Sequence, residues 1–227
     1  MTLTPGHSTT DLKKLARLAG GLYLLIFVAA GFAQAGVREA LVVAGDAAAT
    51  AANIQASEGL FRIGIAADVV AFMADAVVAV LLFFLLRSAG TVLAAVAAAF
   101  RLIAHPAMAS INLSNQWSAL SVLENGGSAE QAYMLMQEHT FGYLLAGFFF
   151  GVSLLLMGWL VWKSVRFPDW LAVLVAIAGA GYLIESFGMV LSPGAESLYI
   201  LIVTITAVVG EFALTGWLLV KGVKGTD

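Results

Sequence analysis

IGIAADVVAFMADAVVAVLLFFLL, residues 63–86, is apolar along its whole length except for two carboxylates, Asp68 and Asp75. About 20 apolar residues, rising about 1.5 Å each, cross a hydrocarbon core roughly 30 Å thick. The stretch therefore reads as a membrane-crossing helix. An acid turned toward lipid costs about 2.5–3.5 kcal/mol on insertion scales. Asp68 and Asp75 are two helical turns apart and share one face, so that face is expected to look into a bundle.

Working outward, the rest of the chain repeats the apolar pattern. Of 227 residues, 61% are hydrophobic and 11% charged, against about 25% charged in soluble domains. Runs at about 16–37, 61–86, 90–113, 139–162, 169–191 and 198–220 predict an all-α, polytopic membrane protein, a six-transmembrane-helix bundle. No polar stretch is long enough to close a soluble core, so residues 1–227 are expected to form one membrane domain. Lys13, Lys14 and Arg17, followed by an apolar run and Ala33-Gln34-Ala35, look like a signal peptide with its cleavage site; we expect this segment to be retained as a helix. The chain has no cysteine. That excludes disulfides, thiolate metal sites, iron–sulfur clusters and cysteine nucleophiles.

The basic residues set an orientation. Lys13, Lys14, Arg17, Arg87, Lys163, Arg166, Lys221 and Lys224 fall on one side of a six-span topology. Arg38 and Arg62 fall on the other, and Arg101 is left inside. By the positive-inside rule both termini are expected to be cytoplasmic. The outer loops are acidic. In the first, Asp46 is placed to cap a short helix. In the second, Asn125-Gly126-Gly127 predicts a turn, and Ser128 with Gln131 predicts a capping box that starts the fourth helix. Helices three and four should then project outward as a hairpin.

Seven ionisable residues lie within the expected spans: Asp68, Asp75, Arg101, His105, His139, Glu185 and Glu211. A tight turn near Ser88 gives helices two and three a common zero of depth. Asp75 and Arg101 are both about 13 residues from it, Asp68 about 20 and His105 about 17. The arithmetic predicts a two-rung ladder, Asp75 with Arg101 and Asp68 with His105. Glu211 falls near the level of Arg101 and is expected to meet it. Glu185 falls near His105, and Asp68, His105 and Glu185 are expected to line one cavity. His139 opens the fourth span and reads either as an interfacial residue or as a cavity residue. Four acids then face one permanent cation, a deficit to be filled by protons, water or a bound cation. Pro106 follows His105 and cannot donate to the carbonyl of Leu102, which predicts a kink.

Buried ion pairs can serve helix register alone; ionisable residues inside a membrane are functional candidates by default. Gly147-Phe-Phe-Phe-Gly151 has GxxxG spacing and reads as helix packing rather than a dimer face. Trp117, Trp159, Trp162, Trp170, Tyr133 and Tyr199 read as interfacial anchors. Ser153 has no histidine on helices five or six to activate it as a nucleophile. HExxH is absent, as are phosphate loops, nucleotide fingerprints and any basic surface for nucleic acid. His105, His139, Asp68 and Glu185 include the ligand types of a metal site, but spacing supplies no test of it. A bis-histidine haem would need His105 and His139 facing one another. No cofactor is otherwise indicated.

Several short motifs carry a resemblance. They are Ala16-Arg17-Leu18-Ala19-Gly20, GDAAATAANI from Gly45, and Leu60-Phe61-Arg62-Ile63-Gly64-Ile65-Ala66-Ala67-Asp68. Phe100-Arg101-Leu102, Phe149-Phe150-Gly151, Gly181-Tyr182-Leu183-Ile184-Glu185, Gly210-Glu211 and Trp217-Leu218-Leu219-Val220-Lys221-Gly222 complete the set. Together they resemble the bacterial integral-membrane family "domain of unknown function 4386" over almost the whole chain. The resemblance implies a single six-helix domain and no activity. The expected function is a polar intramembrane cavity that binds or moves a small cation, proton or polar solute. The alternatives are an intramembrane enzyme using metal or acid–base chemistry on a lipid-soluble substrate, and a structural subunit of a membrane complex. The expected partners are the lipid bilayer and a small molecule or ion, with no nucleic acid.

Overall fold

A computed structural model describes residues 9–223; Lys224, counted above among the basic residues, lies outside the described residues. Among the described residues there is no strand. The helices are α1 (Thr9–Gly31), α2 (Glu39–Leu41), α3 (Ala47–Ala56), α4 (Glu58–Leu86), α5 (Thr91–Leu102), α6 (Ser110–Glu124), α7 (Ala129–Lys163), α8 (Asp169–Leu191) and α9 (Glu196–Val220). Six unbroken helical stretches are long and apolar enough to cross a membrane: Thr10–Leu41, Glu58–Ala89, Thr91–Glu124, Ala129–Lys163, Asp169–Leu191 and Glu196–Val220. The chain is an integral, multi-pass membrane protein.

The spans close into a ring in chain order. α1 packs on α4, α4 on α5, α5 on α7, α7 on α8, α8 on α9, and α9 returns to α1. Large apolar side chains such as Val28, Met73, Val92, Ile111, Val173, Leu201 and Phe212 point outward, as lipid requires. One end of the interior is filled by Leu85, Leu154, Leu160, Leu171, Leu214 and Leu218, all buried. At that end Arg166 donates to Ser88 Oγ at 2.7 Å, tying the two short connections together.

The opposite end has the longer connections, and local chemistry fixes them as expected. Asp46 accepts from Ala49 N at 2.8 Å to start α3. Ser128 Oγ accepts from Gln131 N at 3.1 Å to start α7. Gly126 takes a left-handed conformation (φ 72°) in the turn between α6 and α7, where a side chain would clash with the backbone. Tyr133 reaches across this face, its hydroxyl accepting from Gly45 N at 2.7 Å.

Two π-helical segments interrupt the spans. The first, Phe32–Arg38, links α1 to α2, so span one ends at Leu41 rather than near residue 37. Arg38 is therefore not a residue of the outer loop, where the charge count put it; it is buried inside the bundle. The second, Ile103–Ala109, surrounds Pro106 and joins α5 to α6. Proline removes one backbone donor and crowds the carbonyl four residues back. The wider π turn makes room for both effects, and it presents His105 to the interior. Such π segments often mark functional places in helices.

Close helix contacts use glycine as the GxxxG spacing suggested. A Cβ on Gly151 would lie 2.9 Å from Gly179 O, and one on Gly179 would lie 2.8 Å from Gly151 O. Gly147 meets Ser186 Oγ in the same seam. These glycines let α7 and α8 approach within the chain.

Candidate functional site

The centre of the bundle holds the predicted Asp75–Arg101 pair. Both side chains are buried, and Arg101 Nε donates to Asp75 Oδ1 at 2.9 Å, with Nη2 on the same oxygen. The guanidinium lies between two aromatic faces, its carbon 4.8 Å from the ring centroids of Tyr23 and of Phe150. Cation–π attraction strengthens when the cation is desolvated, so the sandwich offsets part of the cost of taking Arg101 out of water.

The second rung differs from expectation. Asp68, fully buried, is paired with Arg38 and not with His105. Arg38 Nε also donates to Gln34 Oε1 at 2.8 Å, one turn back, and its guanidinium stands 5.6 Å from the Tyr143 ring centroid. His105 instead approaches the inner rung, with Nδ1 3.7 Å from Asp75 Oδ2. The π turn at Phe32–Arg38 carries Arg38 into the bundle, where it takes Asp68 and leaves His105 to the inner rung. With Arg38 inside, the four acids face two arginines rather than one.

Glu211 does not meet Arg101 in an ion pair. Among the described residues its partner is Tyr182, whose hydroxyl donates to Oε1 at 3.0 Å. Arg101 directs Nε and Nη2 to Asp75, and its Nη1 has no hydrogen-bond partner among the described residues. Tyr182 packs edge-on to Phe150 at 4.9 Å, so it shares a neighbour with Arg101.

His139 is locked. α7 begins ten residues earlier than the expected fourth span, at Ala129, so His139 lies within the helix and is buried. Its Nδ1 is 3.2 Å from Asn112 O and its Nε2 is 2.8 Å from Gln116 Nε2. One assignment satisfies both: Nδ1–H donates to the carbonyl and Nε2 accepts from the Gln116 amide. This is the neutral imidazole. Asn112 Nδ2 donates in turn to His139 O at 2.7 Å.

Bounded by the first, third, fourth, fifth and sixth spans lies an open cleft of about 830 Å³. His105, His139 and Glu185 are on its wall, with Arg38, Tyr143 and Tyr182. Asp68 is not; it sits behind Arg38. Asp75, Arg101 and Glu211 also lie behind the wall, reached through His105 and Tyr182. The set of Asp68, His105 and Glu185 expected in one cavity is thus divided: two line it and the third is screened. Among the described residues no three His, Asp or Glu side chains converge as metal ligands do. His105 and His139 each pack against Tyr143, ring centroids 6.1 and 5.3 Å from it. Ser153 Oγ donates to Ala97 O at 2.8 Å and serves packing.

The profile of the family described as "Domain of unknown function (DUF4386)" matches residues 18–222. The chain belongs to this family. The DUF4386 match takes in all seven ionisable residues and Arg38, Tyr143 and Tyr182 besides. An uncharacterised protein of Archaeoglobus fulgidus is 35% identical over 80 residues, which are 34% of this chain and 43% of that one. The chain thus spans less than half the length of that relative. No solved structure matches.

Sequence reasoning missed Arg38, Tyr143, Tyr182 and the Asn112–Gln116 clamp. The signals were present. Asn112 and Gln116 are four residues apart on one helical face. Tyr182 lies about 13 residues above the start of α8, and Glu211 about 10 above Lys221, at similar depth. A neutral tyrosine carries no charge to balance, so charge counting does not single it out.

Proposed function

We propose that this DUF4386 protein binds a small cation or polar solute in the cleft and carries it across, or into, a bacterial inner (plasma) membrane. The observation that carries the reading is the charge pattern of the cleft. Arg38 and Arg101 are each neutralised by an aspartate. Glu185, on the wall, has no ion-pair or hydrogen-bond partner among the described residues, and Glu39 only accepts from Gln34 at 3.1 Å. When ionised, these two carboxyl groups give the cleft a negative charge that no arginine among the described residues offsets, and it then favours a positive guest.

The shape and lining suit such a guest. Small-molecule pockets occupy about 300–1,000 Å³ and combine apolar walls with a few polar groups. Here Met136, Leu144, Met189 and Val203 supply apolar wall, and Phe141, Tyr143 and Tyr182 add aromatic rings to the lining. The basic residues gather at the opposite end of the bundle. By the positive-inside rule the cleft then opens away from the cytoplasm.

The test is a ligand screen on the purified protein in nanodiscs, read by thermal unfolding, with inorganic cations, small amines and neutral polar solutes. A guest at about one hundred times its Kd stabilises the fold by roughly 2.7 kcal/mol. At least one cation or polar solute should raise Tm in a saturable way, and Glu185→Gln and Thr204→Trp, which neutralise and fill the cleft, should abolish the shift. No shift with any solute, or equal shifts in all three proteins, would contradict the reading.

A further inference from the structure

We propose that Tyr182 passes protons between the cleft and the buried carboxyl of Glu211, making Glu211 a proton-binding site inside the bundle. The inference deepens the cleft reading and rests on it, because the cleft must admit water for a proton to arrive.

The geometry has three parts. Tyr182 stands on the cleft wall, and its hydroxyl is the hydrogen-bond partner of Glu211 Oε1 at 3.0 Å. Glu211 itself is buried and is not among the residues lining the cleft. Glu185 lies one turn along α8 from Tyr182, on the same face and on the same cleft wall. Tyr182 therefore lines the cleft beside one carboxyl, Glu185, and holds by its hydroxyl another, Glu211, behind the wall.

The step balances without any other reactant. A hydronium in the cleft, or protonated Glu185 through a water, donates a proton to the Tyr182 oxygen. The phenolic proton moves at the same time along the existing hydrogen bond to Glu211 Oε1. The Tyr182 O–H is re-formed, Glu211 becomes neutral, and one positive charge has entered the bundle. The reverse returns the proton to the cleft.

The groups around Glu211 make this exchange consequential. From α8 it faces Tyr182, with Glu185 beyond. From α1 it feels Tyr23, and from the interior Arg101, Asp75 and His105. Tyr23 Oη, Arg101 Nη1 and Asp75 Oδ2 are buried without hydrogen-bond partners. Buried polar groups are seldom left so. A change of charge on Glu211 thus occurs beside atoms that have donors and acceptors to spare.

Infrared difference spectroscopy of the full chain in nanodiscs, titrated from acid to alkaline, tests the proposal. A protonated carboxyl C=O band should appear on acidification. It should vanish in Glu211→Gln, move in frequency in Glu211→Asp, and persist in Glu185→Gln. In heavy water, hydrogen–deuterium exchange of that band should slow by at least about tenfold in Tyr182→Phe and recover in part in Tyr182→His, which restores a proton carrier. A titrating band unaltered by both Glu211 variants, no titrating band at all, or exchange in Tyr182→Phe as fast as in wild type would overturn the proposal. The readout needs no cleft ligand. A failed ligand screen with an intact band removes the cleft-binding reading alone, and a lost relay with an intact ligand shift removes the relay alone.

Discussion

Asp68 is held by Arg38, thirty residues earlier in the chain, across the seam between span one and α4. The pair fixes the end of span one at the depth of the cleft, so the wall that Arg38 forms is anchored to a fully buried carboxylate. Removing one member of a buried pair leaves an uncompensated charge and costs about 3–5 kcal/mol. Arg38→Met and Asp68→Asn should each destabilise on that scale, and the double variant should lose less than the two singles added. Thermal unfolding in detergent as a double-mutant cycle measures it; strictly additive losses would refute the coupling.

Asp75 divides its oxygens, Oδ1 to Arg101 and Oδ2 toward His105 at 3.7 Å. The cycle of Asp75→Asn with Arg101→Met should therefore show a coupling several times that of Asp75→Asn with His105→Ala. Replacing Tyr23 or Phe150 by leucine removes one face of the sandwich and should cost about 1–2 kcal/mol beyond any cavity effect. Comparing each replacement in wild type and in the Arg101→Met background separates the two contributions.

Gly142 lies under the side chain that clamps His139. A Cβ there would collide with the Asn112 amide. Gly142→Ala should displace Asn112, destabilise by about 1–3 kcal/mol, and release His139 from its neutral, doubly bonded state. Nitrogen NMR of the imidazole reads the outcome. Wild-type His139 should show one fixed tautomer, and the variant should show exchange between tautomers.

Gly151 and Gly179 face each other across α7 and α8. Valine at either should force the helices apart and lower Tm, whereas alanine at the open Gly21, with nothing within 4 Å, should be neutral or slightly stabilising. Equal effects at the three positions would mean that the seam is not packed as described.

The spans, their caps and the Asp75–Arg101 pair were legible in the sequence because each rests on local physics. Apolar runs of membrane length, an Asp or Ser before a helix, and two helices sharing a three-residue turn all leave a direct trace. Arg38 was not legible, because a π turn has no compositional signature and an arginine after an apolar run looks like a loop residue. The excess of four acids over one arginine reads in the sequence as protons, water or a bound cation, and in the structure Arg38 supplies part of the balance. Glu211 was placed at the right depth but given the wrong neighbour, since depth fixes a level and not an azimuth around the ring. His139 was placed at a boundary because polar residues before it hid a helix that begins outside the apolar run.

A cleft that takes up cations must hold water and open on the face opposite the basic connections. The cysteine-free chain allows single cysteines to report on it. Thr204→Cys on the cleft wall, Val173→Cys on the lipid face and Ser88→Cys at the basic end are each expressed in intact spheroplasts and treated with a membrane-impermeant maleimide. Labelling should be fast at position 204, absent at 173, and seen at 88 only after the membrane is opened. Labelling at 204 no faster than at 173, or only after the membrane is opened, would contradict the cleft reading.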